Sequence, residues 1–472
     1  MKNKSIIILC CAFFMHLSGF GQSEWPIYGS WAGKLSFQGQ SLRMVFHIEQ
    51  VEDGGYKASI DSPDQGAYGL NVQQCEVDSN KLVLRLPNLM ATFEGIMVHP
   101  DTIIGTWKQA GLVFDLLLLR QKNKESRPGR PQEPVGELPY RVKEVSINQS
   151  TGGFNLAATI TIPPGDGPFP AAVLISGSGP QNRDEEIMGH KPFLVLADFL
   201  ARNGIMTLRY DDRGTAGSGG DFAASTTYDF SNDAEAAWSF LRSQPETNAH
   251  LCGMIGHSEG GMIAPIVAAR NPVIGFLVLM AAPGTPTDML LLKQARLISE
   301  AQGASEKEIR LTEKSNKEIF RVLKYEENET TARKLVRQTL IALSDSLTPD
   351  GSQLEESMQQ QLLLSVDQLF SPWFLNFIRF DPAIYLKQVK CPVLAINGSK
   401  DRQVPAAENL DGIEKNLKAA GNDNTKIVLF DGLNHLFQTA ETGSPAEYAT
   451  IEETLAPQVM QTISDWIQTL SK

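Results

Sequence analysis

The chain has 472 residues, 42% of them hydrophobic and 20% charged, with a formal net charge of −12. That size and balance fit two or three soluble globular domains with a large core. The acidic excess argues against nucleic acid as the main partner and against adsorption to an anionic membrane surface.

At the start, Lys2 and Lys4 precede the apolar run Ile6 to Met15, and small residues follow at Gly19 and Gly21. A charged segment, a short apolar segment and a small-x-small pattern predict a signal peptide over residues 1–21, cleaved near Gly21-Gln22. Export to the periplasm or the medium follows from that reading. The run is too short for a spanning helix, and no other segment reads as transmembrane. Cys10 and Cys11 fall inside it, which leaves Cys75, Cys252 and Cys391. An odd number without C-x-x-C or Cys/His spacing predicts buried free thiols rather than a disulfide framework, and no metal site.

Residues 25–120 alternate apolar and polar positions in short runs, such as Leu42 to Ile48, Lys81 to Leu86 and Leu112 to Leu119. Asp53-Gly54-Gly55 and Asp78-Ser79-Asn80 are hairpin turn signals between such runs. The pattern predicts a small antiparallel sandwich or barrel, with the segments around Gly29–Gly33 and Gly105–Trp107 as first and last strands that meet. Trp25, Tyr28 and Tyr68 look exposed and would suit a carbohydrate-binding module. The plainer expectation is a domain that packs on a lid or mediates a homo-oligomer. Residues 121–139, rich in Pro, Lys, Arg and Glu, read as a linker.

From residue 140 to 472 strands alternate with helices, the sign of a mostly parallel sheet with helices on both faces. Strands are expected at Arg141–Ser146, Leu156–Ile162, Ala171–Ile175, Met206–Arg209, Leu251–Ile255, Gly275–Met280, Val393–Ile396 and Lys426–Phe430. Helices are expected at Pro192–Asn203, Phe230–Arg242, Gly260–Arg270, Ala406–Ala420 and Ile451–Leu470. Between about residues 286 and 388 the rhythm breaks into a charged helical composition with no strand pattern. An all-helical insertion between two sheet strands is most simply a lid. Its aromatic tail, Phe370 to Ile378, reads as lid core in preference to a pocket wall.

Gly256-His257-Ser258-Glu259-Gly260 reads G-x-S-x-G between a strand pattern and a helix pattern. A serine on that tight turn has strained backbone angles, and the flanking glycines remove side chains that would clash. Such a turn presents Oγ at the carboxyl edge of the sheet, beside helix N–H groups that suit an oxyanion. Ser258 then needs a general base and a group to orient it.

Of seven histidines, His435 lies in a loop directly after the last strand pattern, at the edge where Ser258 should be. His190 reads as a helix-end or pocket-wall residue, and His257 should point away from Ser258. Asp401 ends the loop after the penultimate strand and is the expected orienting acid; Asp431, close to His435, reads as a turn former. The oxyanion donors are expected to be the N–H groups of Glu259 and Ser178, with Gly177 or Gly179 as alternatives to Ser178. A carboxylate at Glu259 calls for a partner if buried; Arg183 or Arg213 would serve, unless it reaches water.

These pieces together resemble the α/β-hydrolases, and most closely bacterial carboxylesterases with an N-terminal β domain and a helical lid, relatives of the prolyl-oligopeptidase-type hydrolases. The resemblance is carried by Ile175–Pro180, Arg209–Gly214, Gly256–Gly261, Asn397–Asp401 and Gly432–His435. Ser176 stands where such oxyanion loops commonly have His, and residues 283–386 match no part of the family pattern. The resemblance implies an α/β-hydrolase fold, a Ser258–His435–Asp401 triad, an acyl-enzyme intermediate, a small-molecule ester substrate and no cofactor. A peptidase of the prolyl-oligopeptidase type, or a binding protein that kept the fold, are the competing readings.

Overall fold

The computed structural model describes residues 25–37, 40–51, 54–65, 67–89, 91–109, 112–121, 129–347 and 365–471. The expected signal peptide, residues 122–128 of the expected linker and residues 348–364 of the insertion lie outside the described residues. Among the described residues no helix is long and apolar enough to cross a membrane. The chain divides into two compact units, one formed by the described residues up to Asp61 and from Gly69 to Gln121, the other by Ser62–Tyr68 and the rest from Gly129.

The first unit is one nine-stranded antiparallel sheet in the order β4-β3-β2-β1-β9-β8-β7-β6-β5. Its strands are β1 (Gly29–Phe37), β2 (Gln40–Gln50), β3 (Tyr56–Ser62), β4 (Ala67–Asn71), β5 (Gln74–Asp78), β6 (Lys81–Leu86), β7 (Ala91–His99), β8 (Thr102–Gln109) and β9 (Leu112–Arg120). The first and last strands do meet, Trp31 pairing with Arg120, but Gly105–Trp107 belongs to the penultimate strand and not the last. Alternate residues turn inward, and Trp31, Phe46, Phe93 and Trp107 are the largest side chains of the buried face.

The second unit carries an eight-stranded sheet in the order β10-β11-β13-β12-β14-β15-β16-β17. Its strands are β10 (Arg141–Gln149), β11 (Phe154–Ile162), β12 (Phe169–Ile175), β13 (Met206–Tyr210), β14 (Thr247–His257), β15 (Leu277–Met280), β16 (Val393–Gly398) and β17 (Thr425–Phe430). β10 and β11 run antiparallel to their neighbours, and every pairing from β13 across to β17 is parallel. Each expected strand is present.

Central strands bury both faces, which is why they read as continuous apolar runs. Along β12, Ala171, Val173 and Ile175 enter one core while Ala172 and Leu174 enter the other. The first core is closed by α2 (Thr227–Arg242), α3 (Gly260–Arg270) and the helix Ala406–Ala419. The second is closed by α1 (Pro192–Arg202) and the C-terminal helix Pro457–Thr469. α2 begins where Thr226 and Asp229 form a reciprocal capping box, which sets the start earlier than the apolar pattern suggested.

Between β15 and β16 the described residues form α4 (Thr287–Ala301), α5 (Glu306–Tyr325), α6 (Glu329–Leu347) and shorter helical turns, including Pro372–Phe377. Ile319, Phe320 and Leu323 of α5 pack with Val336, Phe370 and Ile378 in a core separate from those of the sheet. Phe377 and Phe380 instead meet Met262 and Ile266 of α3, so the insertion rests on the helix that follows Ser258.

Candidate active site

Ser258 occupies the turn between β14 and α3 at φ +52°, a left-handed angle that costs a side-chain-bearing residue roughly 1–2 kcal/mol. The turn closes because two glycines permit it. A Cβ on Gly256 would lie 2.1 Å from the carbonyl oxygen of Gly260, and one on Gly260 would lie 2.1 Å from that of Ile175. The Ser258 N–H donates to the Met280 carbonyl at 2.9 Å, tying the turn to the neighbouring strand.

β16 and β17 deliver the expected partners to the same edge. Asp401 is buried, and its Oδ2 lies 2.8 Å from Nδ1 of His435. Its Oδ1 accepts the N–H groups of Gln403 and Val404, both at 2.8 Å, so the carboxylate is fixed from two sides. Ser258 and His435 line one cavity of about 220 Å³, together with Leu290, Leu291, Trp373 and Phe377. In this conformation the Ser258 hydroxyl and the free His435 nitrogen make no hydrogen bond to each other, nor to any other group among the described residues.

The competing residues are used elsewhere. His190 is fully buried between Thr454, the Tyr448 carbonyl and Gln438. Burial pushes its pKa down to about 4, against the pull of that carbonyl, so it is a neutral structural group. Asp431 accepts the hydroxyl of Ser399 on the exposed side of its loop, as a turn former would.

On the loop after β12, the Gly177 N–H is taken by Oε1 of Glu185 at 2.7 Å. The N–H groups of Ser178 and Glu259 donate to no group among the described residues, and both residues line the cavity. Ser176, in the place of the family's usual His, donates its hydroxyl to Asp212 at 2.9 Å.

Glu259 has different surroundings from those expected. It is buried, and neither Arg183 nor Arg213 reaches it. Arg183 pairs with Asp211 at 2.8 Å and also with Glu144, while Arg213 grips Asp233 through bonds of 2.6 and 2.7 Å. Glu259 accepts instead from Thr227 Oγ1 at 2.7 Å, from the Trp373 indole and from the Ser178 side chain. Burial without a cation raises its pKa, and those three donors only moderate the rise. The solvated alternative fails too, since 2% of the residue is exposed. Trp373, read as lid core, is a pocket wall, whereas Phe370 and Ile378 from the same stretch are core.

Two residues of the site escaped sequence reading. The ring of His257, the residue before Ser258, lies 4.8 Å from that of His435, and its Nε2 is 3.0 Å from the His435 carbonyl oxygen. Its Nδ1 is 2.9 Å from Glu185, a buried carboxyl inside the charged run Arg183 to Glu186. Burial opposes a charge on His257, yet Glu185 and the carbonyl outweigh it and hold the pKa above the usual histidine range. Only adjacence to Ser258 marked His257 in the sequence, and nothing local marked Glu185.

A serine on a left-handed elbow, sharing a cavity with an imidazole backed by a carboxylate at the edge of a mixed sheet of this strand order, defines an α/β-hydrolase. The family model described as serine aminopeptidase, S33, matches residues 191–441, and the chain belongs to that family. It is also similar to the esterase EstD of Thermotoga maritima, 29% identical over 314 residues, and spans 66% of that protein's length as of its own. Among solved structures, an esterase of Pyrococcus furiosus is similar over 73% of this chain and 96% of its own, at 16% identity and a TM-score of 0.42. Est1E from Butyrivibrio proteoclasticus is similar over 70% of this chain and 98% of its own, at 14% identity and a TM-score of 0.37.

Proposed function

We propose that this chain is an exported serine hydrolase that cleaves small carboxylic esters. The observation that carries the reading is the meeting of Ser258 and the Asp401-backed His435 on one cavity. His435 takes the Ser258 proton as the hydroxyl attacks the acyl carbon, while Asp401 fixes the imidazole tautomer and stabilises its cation. The hydrogen bond that this transfer needs forms with substrate in place; free enzymes commonly hold such groups apart. The N–H groups of Ser178 and Glu259 donate hydrogen bonds to the oxyanion. His435 then protonates the leaving alcohol, and water releases the acyl group by the reverse relay.

α4 and the helix Pro372–Phe377 act as the lid in this reading, since Leu290, Leu291, Trp373 and Phe377 supply the apolar wall. A cavity of about 220 Å³ suits a short acyl group. The name EstD, borne by a relative, agrees with ester chemistry. The description of the matching family favours a second reading, release of an N-terminal amino acid from a peptide. Parallel assays with p-nitrophenyl butyrate and aminoacyl p-nitroanilides separate the two. Ester turnover lost in Ser258→Ala, with no anilide turnover, is the expected result. A Ser258→Ala chain that keeps full ester activity would overturn the proposal. A chain that a fluorophosphonate probe leaves unlabelled would point to a binding protein instead.

A further inference from the structure

We propose that Glu185 and His257 form a positioning couple for this hydrolase, which holds the Ser178 loop and the His435 loop in register with Ser258. The inference rests on the proposed Ser258 chemistry and extends it to two residues that touch no reacting atom.

Three separate segments meet at this couple. Oε1 of Glu185 accepts the Gly177 N–H at 2.7 Å and lies 2.9 Å from Nδ1 of His257. The other ring nitrogen, Nε2, lies 3.0 Å from the backbone carbonyl of His435. One carboxylate oxygen and one imidazole thus join the loop after β12, the end of β14 and the loop after β17. A carbonyl can only accept, so Nε2 carries a hydrogen and donates it there. With that nitrogen committed, His257 is not free to relay the Ser258 proton. Its role is to fix the backbone from which His435 projects.

The same couple decides which amide is left for an oxyanion. Because Glu185 consumes the Gly177 N–H, the next one along, that of Ser178, stays free at the cavity. The loop also abuts the nucleophile, since a Cβ added to Gly177 would sit 3.3 Å from Cβ of Ser258. Glu185 itself is held at φ +52° and is 3% exposed. A residue with a full side chain persists at such an angle only where its surroundings dictate it, and such residues gather at functional sites.

The test compares Glu185→Ala, Glu185→Gln and His257→Phe in the full chain. Steady-state kinetics on p-nitrophenyl butyrate, the rate of fluorophosphonate labelling and thermal melting are followed together. Glu185→Ala and His257→Phe should lose about 100-fold in kcat, the cost of roughly 1 Å of misplacement, with KM near the wild-type value. Glu185→Gln keeps an acceptor for Gly177 and should recover part of that loss, in kcat and in labelling rate alike. It also carries the test if either of the other variants fails to fold. Folded variants with unchanged kcat, or with losses confined to KM, would overturn the couple alone. A wild-type chain inert to both ester and probe would sink the Ser258 reading, and the inference with it.

Discussion

The indole nitrogen of Trp373 lies 3.0 and 3.1 Å from the two carboxyl oxygens of Glu259, so the helical insertion is hydrogen-bonded to the residue beside the nucleophile. Glu259 has no cationic partner among the described residues, and its burial makes each donor around it valuable. Trp373→Phe keeps most of the apolar contact with Phe377 but removes the N–H. The variant should be less stable by about 1–3 kcal/mol, the usual penalty for leaving a buried polar group short of a partner. Its kcat should fall severalfold, because the Glu259 amide shifts with its side chain. Thermal melting and ester kinetics on one preparation check both effects.

Asp401 is bound from two directions, which allows its chemical and structural roles to be separated. Asp401→Asn retains an oxygen for the Gln403 and Val404 amides but presents the wrong partner to His435 Nδ1. A loss in kcat of about 10³–10⁴-fold, with little change in melting temperature, is expected. Asp401→Ala should lose stability as well, since the Gln403 amide and the buried Val404 amide would be left without this acceptor. Equal kinetic losses with unequal melting curves are the signature to look for.

The parallel sheet was legible because strands buried on both faces, such as Ala171–Ile175 and Val393–Ile396, read as unbroken apolar runs bounded by turns. Ser258, Asp401 and His435 were legible because each follows a strand, and strand order fixes the edge on which they meet. The surroundings of Glu259 were not, since its partners Thr227 and Trp373 lie 32 and 114 residues away along the chain. Charge alone suggested arginine, but the local acids Asp211 and Asp233 had already captured both candidates. The Glu185–His257 pair was hidden for the same reason, spanning 72 residues with no period or spacing to announce it.

Asp212 offers a pH-dependent prediction. Burial raises its pKa from 3.8 to about 8, with Glu259 and Glu185 adding to the rise and the Gln181 amide and Ser176 hydroxyl opposing it. The folded chain therefore keeps this proton to a higher pH than the unfolded chain does. Its contribution to stability is full below about pH 4 and is lost as pH rises through about 8. Asp212→Asn can still bond both neighbours, its oxygen to the Gln181 amide and its amide to Ser176. Melting temperatures of the two proteins should lie closest in acid and diverge with rising pH, the variant becoming the more stable. Parallel curves across that range would mean that Asp212 is ionised throughout.

Backbone strain at the nucleophile can be read from two inactive variants. Ser258→Ala removes the hydroxyl but leaves a Cβ at φ +52°. Ser258→Gly removes the hydroxyl and the strain together, at the cost of a more flexible unfolded chain. The left-handed angle costs roughly 1–2 kcal/mol and the added freedom of glycine returns roughly 0.5–1 of that. Ser258→Gly should thus be the more stable of the two by up to about 1.5 kcal/mol, or a few degrees in melting temperature. Both should be unlabelled by fluorophosphonate, so the comparison is free of any contribution from turnover. A glycine variant that melts below the alanine variant would show that the elbow is held by its surroundings without appreciable strain at position 258.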